Sequence, residues 1–239
     1  MTVHYDSLDI NRNICLDLPY REGNGVITNS LARRSPLLTL VSAPPWTILD
    51  SHLTVLSFDG NADYIWASAA DTALMDIGSQ NYSIAMWIFL CSGGAHDSQD
   101  ILSRFVLNNN GWELYSYSNG IITMRHHHAA GASTRTGFYS SNWNFNTWYF
   151  LALNRNGASG QFYRGDTAGN FSALTTSISA GGLIDPEACA ANFYICTNNG
   201  ATGNFADNIN WRPRFWFDRS VSEASFKQIY EKELRWFQS

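Results

Sequence analysis

The stretch LSFDGNADYI, at residues 56–65, predicts two short strands joined by a tight turn. The flanking segments, Leu53–Phe58 and Tyr64–Ala67, are rich in the apolar and aromatic residues that are typical of strands. The intervening Asp-Gly-Asn, at residues 59–61, is typical of a turn because these residues accept the backbone angles that a chain reversal requires. This stretch therefore favours antiparallel β structure.

The same alternation of short apolar segments and Asn- or Gly-rich turns recurs along the chain. Residues 118–120, Ser-Asn-Gly, predict a hairpin because Asn-Gly tolerates the positive φ angles of a two-residue turn. Gly-, Ala- and Thr-rich residues 129–137 and 165–182 are predicted to form surface loops. Further strands are predicted at residues 13–20, 83–91, 101–107, 111–118, 120–125, 147–154, 160–164, 192–196 and 213–217.

One helix is predicted, near the end of the chain. Ser222 is placed to cap it, and apolar residues follow at helical spacing, at positions 226, 229, 230 and 234. Many short strands with a single late helix favour an all-β fold, specifically a two-sheet antiparallel jelly-roll sandwich with one short C-terminal helix. We expect residues 1–12 to form an N-terminal arm and residues 13–239 to form one sandwich domain.

Composition and charge limit the classes of function that this chain can have. The chain has 239 residues, of which 45% are hydrophobic, 14% aromatic and only 15% charged, so a large core and a surface of neutral polar residues are expected. The net charge of −5, with scattered basic residues, argues against binding to nucleic acid. No signal peptide or long apolar segment is recognised, so we expect no membrane insertion, synthesis in the cytoplasm and a final place on a particle surface or outside the cell.

The four cysteines show no spacing typical of a zinc site. Cys15, Cys91, Cys189 and Cys196 include no pair separated by two residues. We expect free buried thiols, because cysteine is among the most frequently buried residues. A disulfide between Cys189 and Cys196, across a short loop, is the alternative.

Six segments, taken in order, resemble the laminin G-like members of the concanavalin A-like lectin superfamily, in the pentraxin-related branch. The segments are LDLPYREGNG at residues 16–25, LSFDGNADYI at 56–65, YSIAMWI at 82–88, GWELY at 111–115, NTWYFLA at 146–152 and FDRSVS at 217–222. The resemblance implies a lectin-like sandwich and glycan binding. Residues 209–216 depart from it, because two acidic residues of the family pattern are absent and Pro213 intervenes.

The chain lacks the carboxylate pattern of the glycosidases that share this fold. Such enzymes need two carboxyl groups roughly 5–10 Å apart, but Glu113 is alone on its predicted strand, while Asp97 and Asp100 are predicted in a polar loop. We therefore expect no catalytic residues. Residues 126–128, three consecutive histidines, are predicted to form an exposed strand end, with a metal site as the alternative.

A structural calcium ion is the one cofactor that the sequence suggests. Asp59, Asn61 and Asp63 place oxygen-bearing side chains at alternate positions around one turn, and calcium requires several oxygen ligands. The competing interpretation is that these side chains bond to their own backbone and form the turn.

The best candidate for a ligand-binding surface is the aromatic and amide-rich loop before the strand at residues 147–154. We select Tyr139, Asn142, Trp143 and Asn144 from this loop and Trp66 from elsewhere as the binding residues. The alternative for Trp143 is that its ring closes one end of the sandwich.

Two classes of function follow from these features. The first is a non-catalytic recognition or adhesion module whose partner is a glycan or surface polysaccharide. The second is a structural virion protein, such as a phage capsid decoration or tail component, whose partners are other subunits, including copies of itself. A glycoside hydrolase ranks below both. In an assembly, residues 1–12 and 234–237 would be the docking elements, although the latter could instead pack against their own sandwich.

Overall fold

The computed structural model describes residues 8–32, 36–92, 97–129, 135–198 and 205–238. It confirms the predicted fold: two antiparallel sheets and one C-terminal helix, α1 (Glu223–Glu233). The strands are β1 (Ile14–Asp17), β2 (Ile27–Asn29), β3 (Leu37–Val41), β4 (Trp46–Ile48), β5 (Thr54–Asp59), β6 (Tyr64–Ala67), β7 (Tyr82–Leu90), β8 (Ser98–Val106), β9 (Asn110–Tyr117), β10 (Ile122–His127), β11 (Arg135–Ser140), β12 (Trp148–Asn156), β13 (Ser159–Asp166), β14 (Phe171–Ala173), β15 (Ser177–Ile178), β16 (Phe193–Ile195) and β17 (Asp207–Phe217). No helix among these residues is long and apolar enough to cross a membrane.

The first sheet is built around two strands that are buried on both faces. Its order is β14-β13-β12-β7-β17-β5-β4, and β1 also pairs with β17. Strands β7 and β12 are buried at almost every position, because one face meets the second sheet and the other lies under α1 and the C-terminal residues. On this covered outer face, Trp87 stacks on Phe237 with ring centroids 4.0 Å apart.

The second sheet carries the surface on which the candidate site lies. Its order is β15-β11-β10-β9-β8-β16-β6-β3-β2. Trp112 of this sheet packs against Phe215 of the first sheet, with centroids 5.2 Å apart, and Phe138 packs against Phe162 at the same distance. These aromatic pairs fix the inner face of the second sheet, so the alternate residues of each strand point outward.

Helix α1 has the cap expected from the sequence. The Ser222 hydroxyl accepts a hydrogen bond from the backbone N–H of Ser225, which satisfies one of the free donors at the helix start. Phe226, Ile229 and Tyr230 are buried against the outer face of the first sheet. The Tyr230 ring lies directly over Gly165 of β13, where a β carbon would overlap it.

We expect Gly165→Ala to lower the free energy of unfolding by about 1–3 kcal/mol, because the added methyl group must displace a packed aromatic ring. Urea denaturation would measure the change. Gly78→Ala is the matched control, since the nearest atom to a β carbon there is the Gln80 side-chain oxygen at 3.7 Å. Equal stability of the two variants would contradict this packing.

Pro213 explains why the last strand was predicted too short. The prediction began the strand at residue 213, whereas β17 begins at Asp207 and accommodates the proline at an irregularity in its pairing with β7. Arg212, within that irregularity, has a φ angle of 57°. A bulge is one of the places where a sheet tolerates proline, which donates no hydrogen bond.

Six short strands were not predicted. They are β2, β3, β4, β11, β14 and β15. Two of the predicted loops therefore contain strands: β11 begins within residues 129–137, and β14 and β15 lie within residues 165–182. Apart from β11, these strands have five or fewer residues, so pairing with neighbours defines them more than their own composition does.

Both ends of the described chain pack against the sandwich. Phe237 is buried, and the Ser51 hydroxyl donates to the Trp236 carbonyl at 2.7 Å, so residues 234–237 pack on their own domain. The Trp216 indole donates to the Ile10 carbonyl at 2.9 Å. Residues 1–7 of the predicted arm lie outside the described residues. The four cysteines are free, and Cys15, Cys189 and Cys196 are buried.

Candidate functional site

A polar cluster occupies the outer face of the second sheet, across strands β8, β9 and β10. Trp112 and Leu114 of β9 point into the core, so Glu113 between them points outward. In the β9–β10 register, Glu113 lies opposite Arg125. Asp100 reaches the same place from β8, just before a register shift in its pairing with β9. Three neighbouring strands thus bring three ionisable groups together.

Glu113 is the centre of the cluster. Its carboxylate accepts a hydrogen bond from Arg125 Nη1 at 2.8 Å and another from His127 Nε2 at 3.1 Å. The backbone N–H of Asn108 donates to His127 Nδ1 at 3.2 Å, so the proton of the neutral ring is on Nε2 and faces Glu113. The Phe105 ring stacks on His127 with centroids 4.5 Å apart.

The pKa values of Asp100 and Glu113 shift in opposite directions. Burial, reinforced by the negative charge and the hydrogen bond of Glu113, raises the pKa of Asp100 well above its usual range. Burial alone would also raise the pKa of Glu113, but hydrogen bonds from His127 and Asp100 and the charge of Arg125 outweigh it and lower that pKa. Of the two carboxyl groups, Asp100 is therefore the one that favours the protonated form, while Glu113 favours the ionised form.

Two tyrosines extend the cluster toward solvent. Arg125 lies over the Tyr115 ring, with Cζ 4.3 Å from the centroid, and its guanidinium also donates to the hydroxyls of Tyr115 and Tyr117. The two hydroxyls are 3.1 Å apart. Burial raises the pKa of Tyr115, so its hydroxyl keeps its proton. Arg125 thereby holds both tyrosine hydroxyls in place.

Two adjoining cavities, of about 390 and 490 Å³, open above these residues. Both are lined by Tyr115, Tyr117, Arg125 and Arg135, and we call the joined surface the outer-face groove. The first cavity is also lined by Phe105, Val106, Leu107 and Asn198, and the second by Thr123, Gly137, Tyr139 and Ser179. The groove thus combines aromatic rings with hydroxyl, guanidinium and carboxylate groups, and its volume suits a small ligand.

The predicted ligand-binding residues do not all lie together. Tyr139 lines the groove and is 43% exposed. Trp143 is buried, its indole donates to the Ser140 hydroxyl at 2.9 Å, and its ring meets Tyr149 edge-on, so it closes an end of the sandwich. Asn142 and Asn144 are exposed and do not line the groove, nor does the half-buried Trp66, which lies on β6 of the same sheet.

The predicted calcium turn uses its oxygens for its own backbone. Asp59 Oδ1 accepts hydrogen bonds from the N–H groups of Asn61, Ala62 and Asp63, at 2.9, 3.1 and 3.4 Å. These bonds, against the effect of burial, lower the pKa of Asp59. The geometry is that of an Asx turn. A calcium ion at Asp59, Asn61 and Asp63 stays a prediction.

The prediction for the three histidines was wrong, because His126, His127 and His128 are buried rather than exposed. His126 points into the core, where Nδ1 donates to the Ile184 carbonyl at 2.9 Å and Nε2 accepts from the Tyr82 hydroxyl at 2.8 Å. Residues outside β10 cover the histidines at this end of the sheet. The composition of the histidine segment does not indicate this coverage. Among the described residues, no group of three His, Cys, Asp or Glu side chains could hold a metal ion.

The prediction that Asp100 lies in a loop was also wrong. It belongs to β8 and meets Glu113, so Glu113 is not isolated. The hairpin predicted at residues 118–120 was sufficient to predict the pairing of Glu113 with Arg125. Residues equidistant from Asn119 pair across that hairpin, which places Glu113 opposite Arg125. The position of Asp100 beside Glu113 depends on the register shift between β8 and β9, which no sequence pattern indicated.

Comparison with known proteins supports the lectin-like jelly roll but not its pentraxin-related laminin G branch. The binding domain of botulinum neurotoxin serotype G superposes with a TM-score of 0.67 at 13% identity, covering 92% of this chain and 51% of that one. The binding domain of botulinum neurotoxin DC in complex with SialylT gives a TM-score of 0.63 at 14% identity, covering 93% and 52%. A structure of botulinum neurotoxin type C is described as showing that cell entry depends on two ganglioside molecules. It superposes with a TM-score of 0.65 at 14% identity, covering 93% of this chain and 52% of that one.

The chain therefore spans about half the length of the solved structures that it matches. A search of curated protein sequences finds no match. The family model described as Clostridium neurotoxin, N-terminal receptor binding, matches residues 52–176. Because that match covers more than half of the 239 residues and includes β7 to β13, the chain belongs to the clostridial neurotoxin N-terminal receptor-binding family.

Proposed function

We propose that this chain is a non-catalytic recognition module that binds a glycan in the outer-face groove. The observation that carries the proposal is the groove itself, where aromatic rings lie beside hydroxyl, guanidinium and carboxylate groups held by a buried hydrogen-bond network. Sugars offer both apolar C–H faces and many hydroxyls, so this combination matches their chemistry. The ganglioside and SialylT descriptions of related structures point to the same ligand class.

The arrangement of the carboxyl groups argues against glycoside hydrolysis. Asp100 and Glu113 are hydrogen-bonded directly to each other. Retaining glycosidases hold their two carboxyl groups about 5–5.5 Å apart and inverting enzymes hold them farther apart, so that the scissile bond fits between them. No sugar fits between two carboxyl groups in contact. Both are also almost fully buried, which suits a supporting role beneath a binding surface.

Tyr139→Ala is expected to weaken binding to a glycan by about tenfold, because the exposed ring contributes apolar contact in the groove. A glycan array on the purified chain would first identify the sugar, and calorimetry would then compare the variants. Trp66→Ala is the matched control, since it removes an aromatic ring from the same sheet outside the groove. Loss of binding in the Trp66 variant but not in the Tyr139 variant would place the site elsewhere.

A structural role in an assembly is the second candidate, including the phage virion role. The observation that favours it is a set of exposed apolar residues at or near two sheet edges. Ile27 lies on the edge strand β2 with Val26 just before it, Leu37 lies on the neighbouring strand β3, and Ile48 lies on the edge strand β4. Unpaired edges with apolar side chains are suited to contacts between subunits. A defined oligomer that is silent on the glycan array would favour this candidate, whereas a monomer that binds a narrow set of sugars would favour the recognition module.

A further inference from the structure

A separate cavity of about 400 Å³ lies between Leu8–Asn11, β17 and the end of α1. Its apolar wall includes Ile10, Leu31 and the indole of Trp236. Its charged lining consists of five basic side chains and one acidic one: Arg21, Arg212, Arg214, Lys232, Arg235 and Glu233. This local excess of positive charge contrasts with the net charge of −5 of the whole chain.

Two of the arginines are neutralised by buried acids. Arg212 donates to Asp17 at 2.8 Å and to Glu233 at 2.9 Å. Arg214 also pairs with Glu233, and its Nε lies 3.5 Å from Asp17. The Asp17 and Glu233 side chains are almost fully buried, so this quartet is fixed in place. It forms a charge-balanced floor for the cavity.

The three other basic residues of the cavity are not paired with carboxylates in this way. Arg21, Lys232 and Arg235 are exposed, and among the described residues none of them lies within 4.0 Å of an acidic group. The helix dipole favours positive charge at the end of α1, which accounts for Lys232 and Arg235. It does not account for Arg21, which reaches the same cavity from near the start of the chain. Three cations thus converge from two distant segments.

We propose that this cavity is a second binding site, which takes a phosphate or sulfate ester of a small organic molecule. Charge-assisted hydrogen bonds from Lys232 and the guanidinium groups match a tetrahedral anion with several acceptor oxygens. The half-buried Trp236 ring, with Arg235 Cζ 4.9 Å from its centroid, provides a surface for the organic group. The volume is sufficient for a monosaccharide phosphate.

The test uses the full chain with inorganic phosphate, sulfate, glucose 6-phosphate and glucose as probes, at constant ionic strength maintained with chloride. Glucose 6-phosphate is expected to raise the melting temperature saturably and to bind at least fivefold more tightly than inorganic phosphate, while glucose has no effect. Arg21→Gln and Lys232→Gln are each expected to weaken glucose 6-phosphate binding at least fivefold. Lys227→Gln is the control, because Lys227 is an exposed lysine of α1 outside the cavity.

Three results would overturn the proposal. A shift that does not saturate, or that chloride reproduces, would show only general screening. Equal binding of inorganic phosphate and glucose 6-phosphate would remove the organic group from the proposal. Unchanged binding in the Arg21 and Lys232 variants would exclude the cavity, and if Tyr139→Ala instead weakened binding, the anion would belong to the outer-face groove.

Discussion

Glutamine in place of Glu113 is expected to lower the free energy of unfolding by about 3–5 kcal/mol, the cost of removing one member of a buried ion pair. The substitution keeps the shape of the side chain but removes the charge that Arg125 faces at 2.8 Å. It also weakens the acceptor that His127 Nε2 contacts at 3.1 Å. Chemical denaturation monitored by tryptophan fluorescence would measure the change.

Asp100→Asn is the matched control, and its expected cost is below about 1.5 kcal/mol. Since the raised pKa of Asp100 favours its protonated form, an amide N–H can replace its O–H as a donor to Glu113. The raised pKa of Asp100 also costs stability as the pH rises above the unfolded value of about 3.9, and Asp100→Asn abolishes that loss. A larger cost for Asp100→Asn than for Glu113→Gln would mean that Glu113 holds the proton.

The second large effect is a loss of stability in acid that originates at His126. Burial, with a smaller contribution from the nearby charge of Arg155, lowers the pKa of this imidazole to about 3, although the Ile184 carbonyl and Asp185 act in the opposite direction. A histidine with a lowered folded pKa contributes stability above its unfolded value of about 6.5. That contribution, roughly 5 kcal/mol, is lost progressively as the pH falls from 6.5 toward 3.

Unfolding free energies measured between pH 7 and pH 4 would test this expectation, with His126→Gln as the variant in which the slope decreases. Gln retains a donor and an acceptor for the Ile184 carbonyl and the Tyr82 hydroxyl. Should that variant fail to fold, NMR titration of the wild-type imidazole provides the same answer. A His126 ring that protonates near pH 6.5 in the folded protein would contradict its burial.

The strands that the sequence identified are those whose own composition dictates burial. Residues 84–90 and 148–153 are apolar on both faces, and the structure places the two strands side by side at the centre of the first sheet. The strands that it missed depend on pairing with distant partners. For example, β2 has three residues and exists because β3 lies beside it. The composition of a strand thus indicates whether the strand is buried, whereas a short edge strand forms because a neighbouring strand pairs with it.

The candidate site was harder to predict, because its chemistry depends on register and coverage. Trp143 is aromatic and next to amides, as a sugar platform would be, yet it is buried and closes the end of the sandwich. Tyr139, from the same segment, reaches the groove because β11 pairs with β10. Sequence pattern gives the alternation of faces along one strand. It does not predict which strand lies beside β9, and so it does not predict that Asp100 of β8 meets Glu113 of β9.

The pairing of β1 with β17 has a consequence for how the chain reaches its native state. Ile14 lies opposite Trp216, and the Cys15 thiol contacts the Phe215 carbonyl, across a separation of 200 residues. Contacts between such distant residues require closure of a long loop, and proteins rich in them fold in milliseconds to seconds. During synthesis, β1 is made about 200 residues before β17, so its apolar residues lack this pairing partner until β17 has been made.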